Sequence, residues 1–479
     1  MGSSDEADQP TNSLRIAMFP FFAFGHISPF VQLSNALSSS HPSITIFFLS
    51  APANIPRISA SLSPAVHLIP LHIPPVDGLP PHVQSTADAT PHQSELLKKA
   101  VDAMKPQMEA LLLRLNPHIV FHDFAYPWLP SVANPLNIKT FLFSVFSAVS
   151  GAFVMVPDRL PSQDITVEDL KKPPPGFPST SVTVTGLRTF EARDMLYVFK
   201  SFFGGPTVYE RDVAAKKNCS AIVLKTCLEM EGPYLRFIEA QYGKRVLLAG
   251  PVVPQPPRGV LEQRWADWLG KFPEKSVVLC SFGSETFLNE EQIQELVLGL
   301  EMAGPPFLAV LNFAGSGGEE DVKRLKAALP EGFEERVKEK GVVHTGWVQQ
   351  QHILAHPSVG CFVCHAGLSS VAEALVSDCQ LVLLPQKGDQ FLNSRLVGGD
   401  LKAGVEVERD DETGSFKKED VCRAVKAVME RGEEEPGKTI REKHSQWRDF
   451  LRDANLQAKF LNDFVGEMKG MVFGEEDGK

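Results

Sequence analysis

Short apolar runs, separated by turn residues and by stretches with helical spacing, recur along the chain. In the first half they fall at 14–20, 43–49, 66–70, 118–123, 140–144, 219–224 and 246–250. Runs of this length, rich in Ile, Val, Leu and Phe, read as strands buried on both faces. Between them lie helical patterns: 27–38, with Ser28-Pro29 in its first turn, and 91–115, where Pro106 should kink the helix. Residues 21–26, FFAFGH, read as a loop with an aromatic cluster. The pattern then starts afresh, with apolar runs at 276–281, 306–311, 342–344, 360–364 and 379–385, and a charged, mostly helical tail from 400 onward.

Strands alternating with helices predict parallel sheets wrapped by helices, and two such series predict two of them. The expected fold is α/β, with two Rossmann-like domains facing a cleft. The first spans 1–250 and the second 259–455. Between them, 251–258 contains PVVPQPP, a stiff and extended spacer. Ligands of open parallel sheets sit beyond the carboxyl ends of the strands, so both halves should present those ends to the cleft.

Composition narrows the function. The 479 residues carry a formal net charge of −11 with no offsetting basic patch, which argues against a nucleic-acid partner. Seven cysteines are an odd number and are scattered, as in a reduced cytoplasmic protein. Cys361 and Cys364 have the spacing of a redox or zinc pair, but no second pair follows, and core packing is the simpler reading. No apolar run reaches membrane-spanning length, and no targeting segment is evident. A monomer is expected. Residues 158–190, rich in Pro, Ser and Thr, read as a loop-rich insertion over a ligand site. Gly315, Gly317 and Gly318 read as a flexible loop rather than a dinucleotide fingerprint.

The stretch 347–390 carries the most chemistry. The run 360–364 leads to His365, then Ala366-Gly367, then a helical pattern with Ser369, Ser370 and Glu373. Strand, tight turn and helix aim free backbone N–H groups and the positive end of the helix dipole at one spot, which suits phosphate. Gly367 would let the backbone approach an anion, and the two serines add hydroxyl donors. Glu373 accepts hydrogen bonds, as a ribose diol requires. Trp347 offers a flat face for a base, and Asp389-Gln390 could hold sugar hydroxyls. Together these predict a site for a nucleotide carrying a sugar.

This stretch resembles the nucleotide-sugar signature of plant secondary-product glycosyltransferases, the UDP-sugar enzymes of the GT-B fold. Trp347, Gln350, His356, Gly360, His365, Gly367, Ser370, Glu373, Pro385 and Gln390 fall on its characteristic positions. Two departures, Leu368 and Ser369 for a usual Trp and Asn in the core and Asp378-Cys379-Gln380 where a Gly-Pro pair is usual, are similar to the sugar-elongating branch, which adds a sugar to a flavonoid or terpenoid glycoside. The resemblance implies a UDP-sugar donor as co-substrate, with Gly25, Ser284, Trp347, Val348, Gln350, His365, Gly367, Leu368, Ser369, Ser370, Glu373, Asp389 and Gln390 around it, and no cofactor. It also implies that the last helix, 456–479, crosses back onto the first domain. Asp389-Gln390 leans toward glucose, with xylose, galactose and rhamnose open.

Sugar transfer to a hydroxyl needs a base, and histidine is the natural one at neutral pH. A carboxylate behind it would fix its tautomer. His26 follows the first strand and Asp123 ends a later strand of the same sheet. In the family the residues at these places form the catalytic dyad, and both contexts match here. His122 would point to the opposite face of the strand. No metal is expected, because no Asp-x-Asp pair is present to bridge a diphosphate. An inverting single displacement follows. The flavonoid or phenolic glycoside acceptor would meet an aromatic pocket drawn from Phe21, Phe22, Phe24, Ser94, Tyr126, Phe146, Tyr197 and Phe391. The new bond could go to a phenol or sugar oxygen or, with the same base, to an aromatic carbon. A non-catalytic UDP-binding protein is the competing class; a hydrolase lacks its Gly-x-Ser-x-Gly elbow.

Overall fold

A computed structural model describes residues 13–159, 165–178, 186–251, 253–254, 259–283, 286–313, 318–430, 432 and 434–474. The strands are β1 (Arg15–Phe19), β2 (Thr45–Ser50), β3 (His67–Pro70), β4 (Ile119–His122), β5 (Lys139–Ser144), β6 (Ala221–Leu224), β7 (Val246–Leu248), β8 (Val277–Ser281), β9 (Phe307–Val310), β10 (Gly341–His344), β11 (Val359–Cys364), β12 (Gln380–Leu383) and β13 (Gly404–Glu406). They form a seven-stranded sheet in the order β3-β2-β1-β4-β5-β6-β7 and a six-stranded sheet in the order β10-β9-β8-β11-β12-β13. Adjacent strands are parallel throughout. The central strands β1, β4, β8 and β11 are almost wholly buried, which explains their unbroken apolar runs.

In each sheet the strand order reverses once, between β1 and β4 in the first and between β8 and β11 in the second. At such a reversal neighbouring connections leave in opposite directions, and a crevice opens beyond the strand ends. His26 and Asp123 follow β1 and β4. Gly283 and His365 follow β8 and β11. The candidate residues therefore come from the two crevices.

Helix boundaries differ from the sequence reading in two places. The first helix starts at Phe24, not 27, so Gly25 and His26 lie in its first turn rather than in a loop. No side-chain cap serves its opening amides, and Pro29 lies inside the helix, where its missing N–H leaves the Gly25 carbonyl oxygen without an i+4 donor. Pro106 does not kink a continuous helix. The chain breaks between Pro91–Asp102 and Lys105–Leu115, and Pro106 sits near the start of the second piece, where its missing N–H is harmless.

The last helix, Ala454–Phe473, packs on the first sheet. Phe464 and Met468 are fully buried in the core that includes Ile16, Phe121 and Phe143. Burial of each such side chain contributes roughly 1.5–3 kcal/mol, taken as an upper estimate. No helix among the described residues is long and apolar enough to cross a membrane. All seven cysteines are unpaired and buried, Cys361 and Cys364 on β11 among them. Of the spacer, residues 252 and 255–258 lie outside the described residues, as do 314–317 of the glycine-rich loop.

Candidate active site

On the first domain, His26 Nδ1 lies 2.8 Å from Asp123 Oδ2. The carboxylate is almost sealed, at 2% exposure, while the imidazole keeps 15%. Asp123 is held from behind: Phe124 N–H donates to Oδ1 at 2.7 Å and Phe21 N–H to Oδ2 at 3.3 Å. An ionised Asp123 accepts from Nδ1–H, which leaves Nε2 as the basic nitrogen. Three aromatic rings fence the imidazole. Phe146 and Phe21 meet it edge-on at 5.5 and 5.8 Å, and Phe124 lies tilted at 5.5 Å. His122 is fully buried, and burial pushes its imidazole down to about 4. It bonds the Asp123 carbonyl oxygen and takes no part in the pair.

On the second domain, β11 ends at Cys364 and the helix Leu368–Leu375 begins after three intervening residues. Ala366 takes the left-handed conformation, φ +60°, to make this turn. Gly367 itself has an ordinary φ of −64°. Its requirement is space: a Cβ there would come within 2.5 Å of His365 Nε2. Gly283 closes the other side, where a Cβ would stand 3.2 Å from His365 Cε1. The imidazole thus fits between two glycines. Burial pushes it down to about 4, so it is neutral at physiological pH. Its Nδ1 is buried without a partner among the described residues. The amides of Leu368, Ser369 and Ser370 lack intrahelical acceptors by their position. Ser369 is exposed, and Leu368 and Ser370 are half-buried. These donors converge on one place with a positive dipole behind it, the electrostatics that phosphate requires.

One turn further on, Glu373 accepts from Gln350 Nε2 at 2.7 Å and from Gln351 Nε2 at 3.0 Å. The carboxylate is thereby held in one orientation. Trp347 is 76% exposed, so a face of its indole is open to a ligand. Val348 departs from expectation: its side chain is buried in the core, and only its backbone can face a base.

Asp389 and Gln390 follow β12. Asn393, one turn along the helix Gln390–Arg395, donates to Asp389 Oδ2 at 3.0 Å and to the Ala366 carbonyl oxygen at 3.1 Å. Burial raises the Asp389 carboxyl above the usual range, against the pull of Asn393, Lys225 and His26. Gln390 is more constrained. Its Oε1 accepts from the amides of Gln386 and Lys387, and its Nε2 donates to Thr286 Oγ1 at 3.4 Å.

The two domains meet here. Ser147 Oγ donates to Asn393 Oδ1 at 2.6 Å, and Gly388 N–H donates to Asp194 at 2.7 Å.

Several expected acceptor residues lie elsewhere. Phe22 is fully buried in the core of the first domain. Tyr126 is also buried, stacked on Phe19 at 3.9 Å with its hydroxyl donating to the Pro20 carbonyl oxygen. Phe391 is buried edge-on against Phe190. In each case an apolar ring is worth more in the core than at a wet surface. Phe24 sits beneath the Arg57 guanidinium, and Ser94 bonds its own helix at Thr90. Tyr197 is 44% exposed, with its hydroxyl bonded to Glu95 and Lys98. Phe21 and Phe146 do reach the pair. Gly25 is exposed, with open space where a Cβ would go. Ser284 lies outside the described residues.

Sequence reasoning missed Phe124 and Asn393. Asn393 stands four residues after Asp389, one helical turn away, and Phe124 directly follows Asp123. Those spacings were the available signal.

Comparison with known proteins agrees with this geometry. Residues 246–435 match the family model described as UDP-glucoronosyl and UDP-glucosyl transferase. The chain is 55% identical to the anthocyanidin-3-O-glucoside rhamnosyltransferase of Petunia hybrida, over 98% of each chain. It is 42% identical to the cyanidin 3-O-galactoside 2''-O-xylosyltransferase FGGT1 of Actinidia chinensis var. chinensis, over 96% of this chain and 99% of that one. Its fold is similar to the crystal structure of UGT73P12 from Glycyrrhiza uralensis, with a TM-score of 0.74, 22% identity and 96% of each chain covered. With two parallel sheets opposed in the GT-B manner and a relative of this identity along its whole length, the chain belongs to the UDP-glucuronosyl and UDP-glucosyl transferase family of glycosyltransferases.

Proposed function

We propose that the protein transfers a sugar from a UDP-sugar to a hydroxyl of a flavonoid glycoside, lengthening its sugar chain through an O-glycosidic bond. The observation that carries the reading is the His26–Asp123 pair at 2.8 Å, set in the crevice of the first sheet. The acceptor class is supported by the relatives, whose names specify anthocyanidin and cyanidin 3-O-glycosides. Those names describe O-linked products, which speaks against transfer to carbon. They also include rhamnosyl, xylosyl and glucosyl transfer, so the lean toward glucose gives way to a choice among these donors.

In the proposed reaction, His26 Nε2 takes the acceptor's hydroxyl proton. The oxygen then bonds the anomeric carbon as the carbon–phosphate oxygen bond breaks. UDP leaves with the electron pair, and the configuration inverts. Asp123 steadies the imidazolium that forms. The amides at 368–370, Ser369, Ser370 and His365 would receive the diphosphate charge, and Glu373 the ribose. Because these donors already address the anion, we propose that no metal is needed. A monomer in a reduced, cytoplasmic setting is part of the same reading, supported by the seven unpaired cysteines.

The test is incubation with UDP-glucose, UDP-rhamnose, UDP-xylose and UDP-galactose against cyanidin and flavonol 3-O-glucosides, with and without chelator. The expected product is a diglycoside that acid hydrolysis cleaves, formed equally in chelator. An acid-stable product, or loss of activity in chelator, would overturn the corresponding part.

A further inference from the structure

The turn 386–390, which carries Asp389 and Gln390, is fixed through its backbone amides. Gln390 Oε1 accepts from the amides of Gln386 and Lys387, at 3.0 and 3.1 Å. Gly388 comes next, in the left-handed conformation that glycine adopts freely, φ +59°. Its N–H donates across the domain boundary, to Asp194 Oδ2 at 2.7 Å. Three successive amides of the turn are thus held by side-chain acceptors, and the third acceptor belongs to the first domain.

Asp194 sits on the short helix Thr189–Met195. Three residues earlier, and so on the same face, the buried Glu191 forms an ion pair with Arg395. The other terminal nitrogen of that guanidinium donates to the Phe391 carbonyl oxygen at 2.9 Å. Phe190 meets Phe391 edge-on at 5.6 Å. The helix therefore grips the second domain at both ends of the segment 388–395. Its Arg193 makes one more cross-domain contact, with Glu412, which does not involve the turn.

Asp389 directly follows the held amide of Gly388. Its carboxylate accepts from Asn393 at 3.0 Å, and Asn393 is secured in turn by Ser147 at 2.6 Å. The backbone leading into Asp389 and the amide that orients its carboxylate are each tied to a first-domain side chain. A contact to ligand is only as precise as the groups that support it from behind.

We propose that Asp194 is a positioning residue for the transferred sugar: by accepting the Gly388 N–H, it sets from the first domain where the Asp389 carboxylate meets the sugar's hydroxyls. This rests on the reading of Asp389 as a sugar contact. The sugar side of the donor site then takes its shape only when the domains are apposed. The diphosphate side, drawn from 365–370, is assembled within the second domain and does not need the first.

The experiment compares full-length wild type with D194A, D194N, R193A and D389A. The donor is whichever of UDP-glucose, UDP-rhamnose, UDP-xylose and UDP-galactose the wild type turns over fastest, and the acceptor is cyanidin 3-O-glucoside. Asp194 is exposed, so its removal should leave the chain folded. In D194A the donor KM should rise about tenfold, the loss of one charge-assisted hydrogen bond. The acceptor KM and the calorimetric affinity for UDP alone should stay within threefold. D194N keeps an oxygen that can accept the same N–H, and should return the donor KM to within threefold of wild type. R193A removes a cross-domain contact of the same helix without touching the turn, and should leave the donor KM unchanged. A donor KM in D194A within threefold of wild type overturns the proposal. So does a D194N as impaired as D194A, or an R193A that raises the donor KM as far. If D389A keeps the wild-type donor KM, the reading of Asp389 as a sugar contact fails instead, so the two failures are distinct.

Discussion

Ser147 Oγ donates a 2.6 Å hydrogen bond to Asn393 Oδ1, joining the first domain to the residue that orients Asp389. The same amide's nitrogen serves both the Asp389 carboxylate and the Ala366 carbonyl oxygen in the turn after β11. One buried side chain thus ties together the domain boundary, the Asp389 carboxylate and the strand-to-helix turn.

N393A should disturb all three. Its partners are buried, and leaving a buried polar group unpaired costs roughly 1–3 kcal/mol. Urea denaturation should show a loss of that size. Steady-state kinetics should show the donor KM rising more than the acceptor KM. An N393A protein with wild-type stability and donor KM would mean that Asp389 is oriented by other contacts.

Removing the base is a separate matter from removing binding. H26A should lower kcat by about 10²–10⁴, the usual contribution of a positioned general base. D123N should fall within a similar range, because an amide cannot hold the same imidazole tautomer. UDP affinity, measured by calorimetry, should be unchanged in both. Retention of near-complete activity by folded H26A would remove His26 as the base.

Glu373 should act on the nucleotide alone. E373A leaves the Gln350 and Gln351 amides without their shared acceptor and takes the proposed ribose contact away. UDP binding should weaken by about tenfold or more, while E373Q should recover part of it. Equal UDP affinity in E373A and wild type would place the ribose elsewhere.

Three histidines should make the protein acid-sensitive before its carboxylates do. Burial pushes His122, His365 and His444 each down to about 4. In the unfolded chain they take up protons near pH 6.5. Between these values the unfolded state binds more protons, so stability falls as pH drops from about 6.5 toward 4. Each histidine contributes a slope of about 1.4 kcal/mol per pH unit. Denaturation curves across that window should show the loss, reduced by about a third in H444Q. A midpoint flat from pH 7 to 4.5 would show that these imidazoles titrate normally.

The strand-to-helix turn at 365–368 was legible because it is local. Its parts lie within a dozen residues, and strand, turn and helix each leave their own periodic mark. The aromatic surroundings of His26 were legible only in part. Phe21 and Phe146 reach His26, but Phe22, Tyr126 and Phe391 fill the core. A phenylalanine carries no mark that separates the two uses, since the same surface that would bind a flat ligand also drives burial.

The alternation of apolar and helical runs was enough to specify two parallel sheets, and the stretch from 347 to 390 was enough to point to the strand, turn and helix of the second crevice. Those are properties of neighbouring residues, which short-range spacing records. Which side chains from distant strands meet there was decided by strand order. Placing β1 beside β4 brings His26 to Asp123 across 97 residues, and apposing the domains brings Ser147 to Asn393. Contacts at such separation depend on how the sheets are wound and packed, and no local periodicity encodes them.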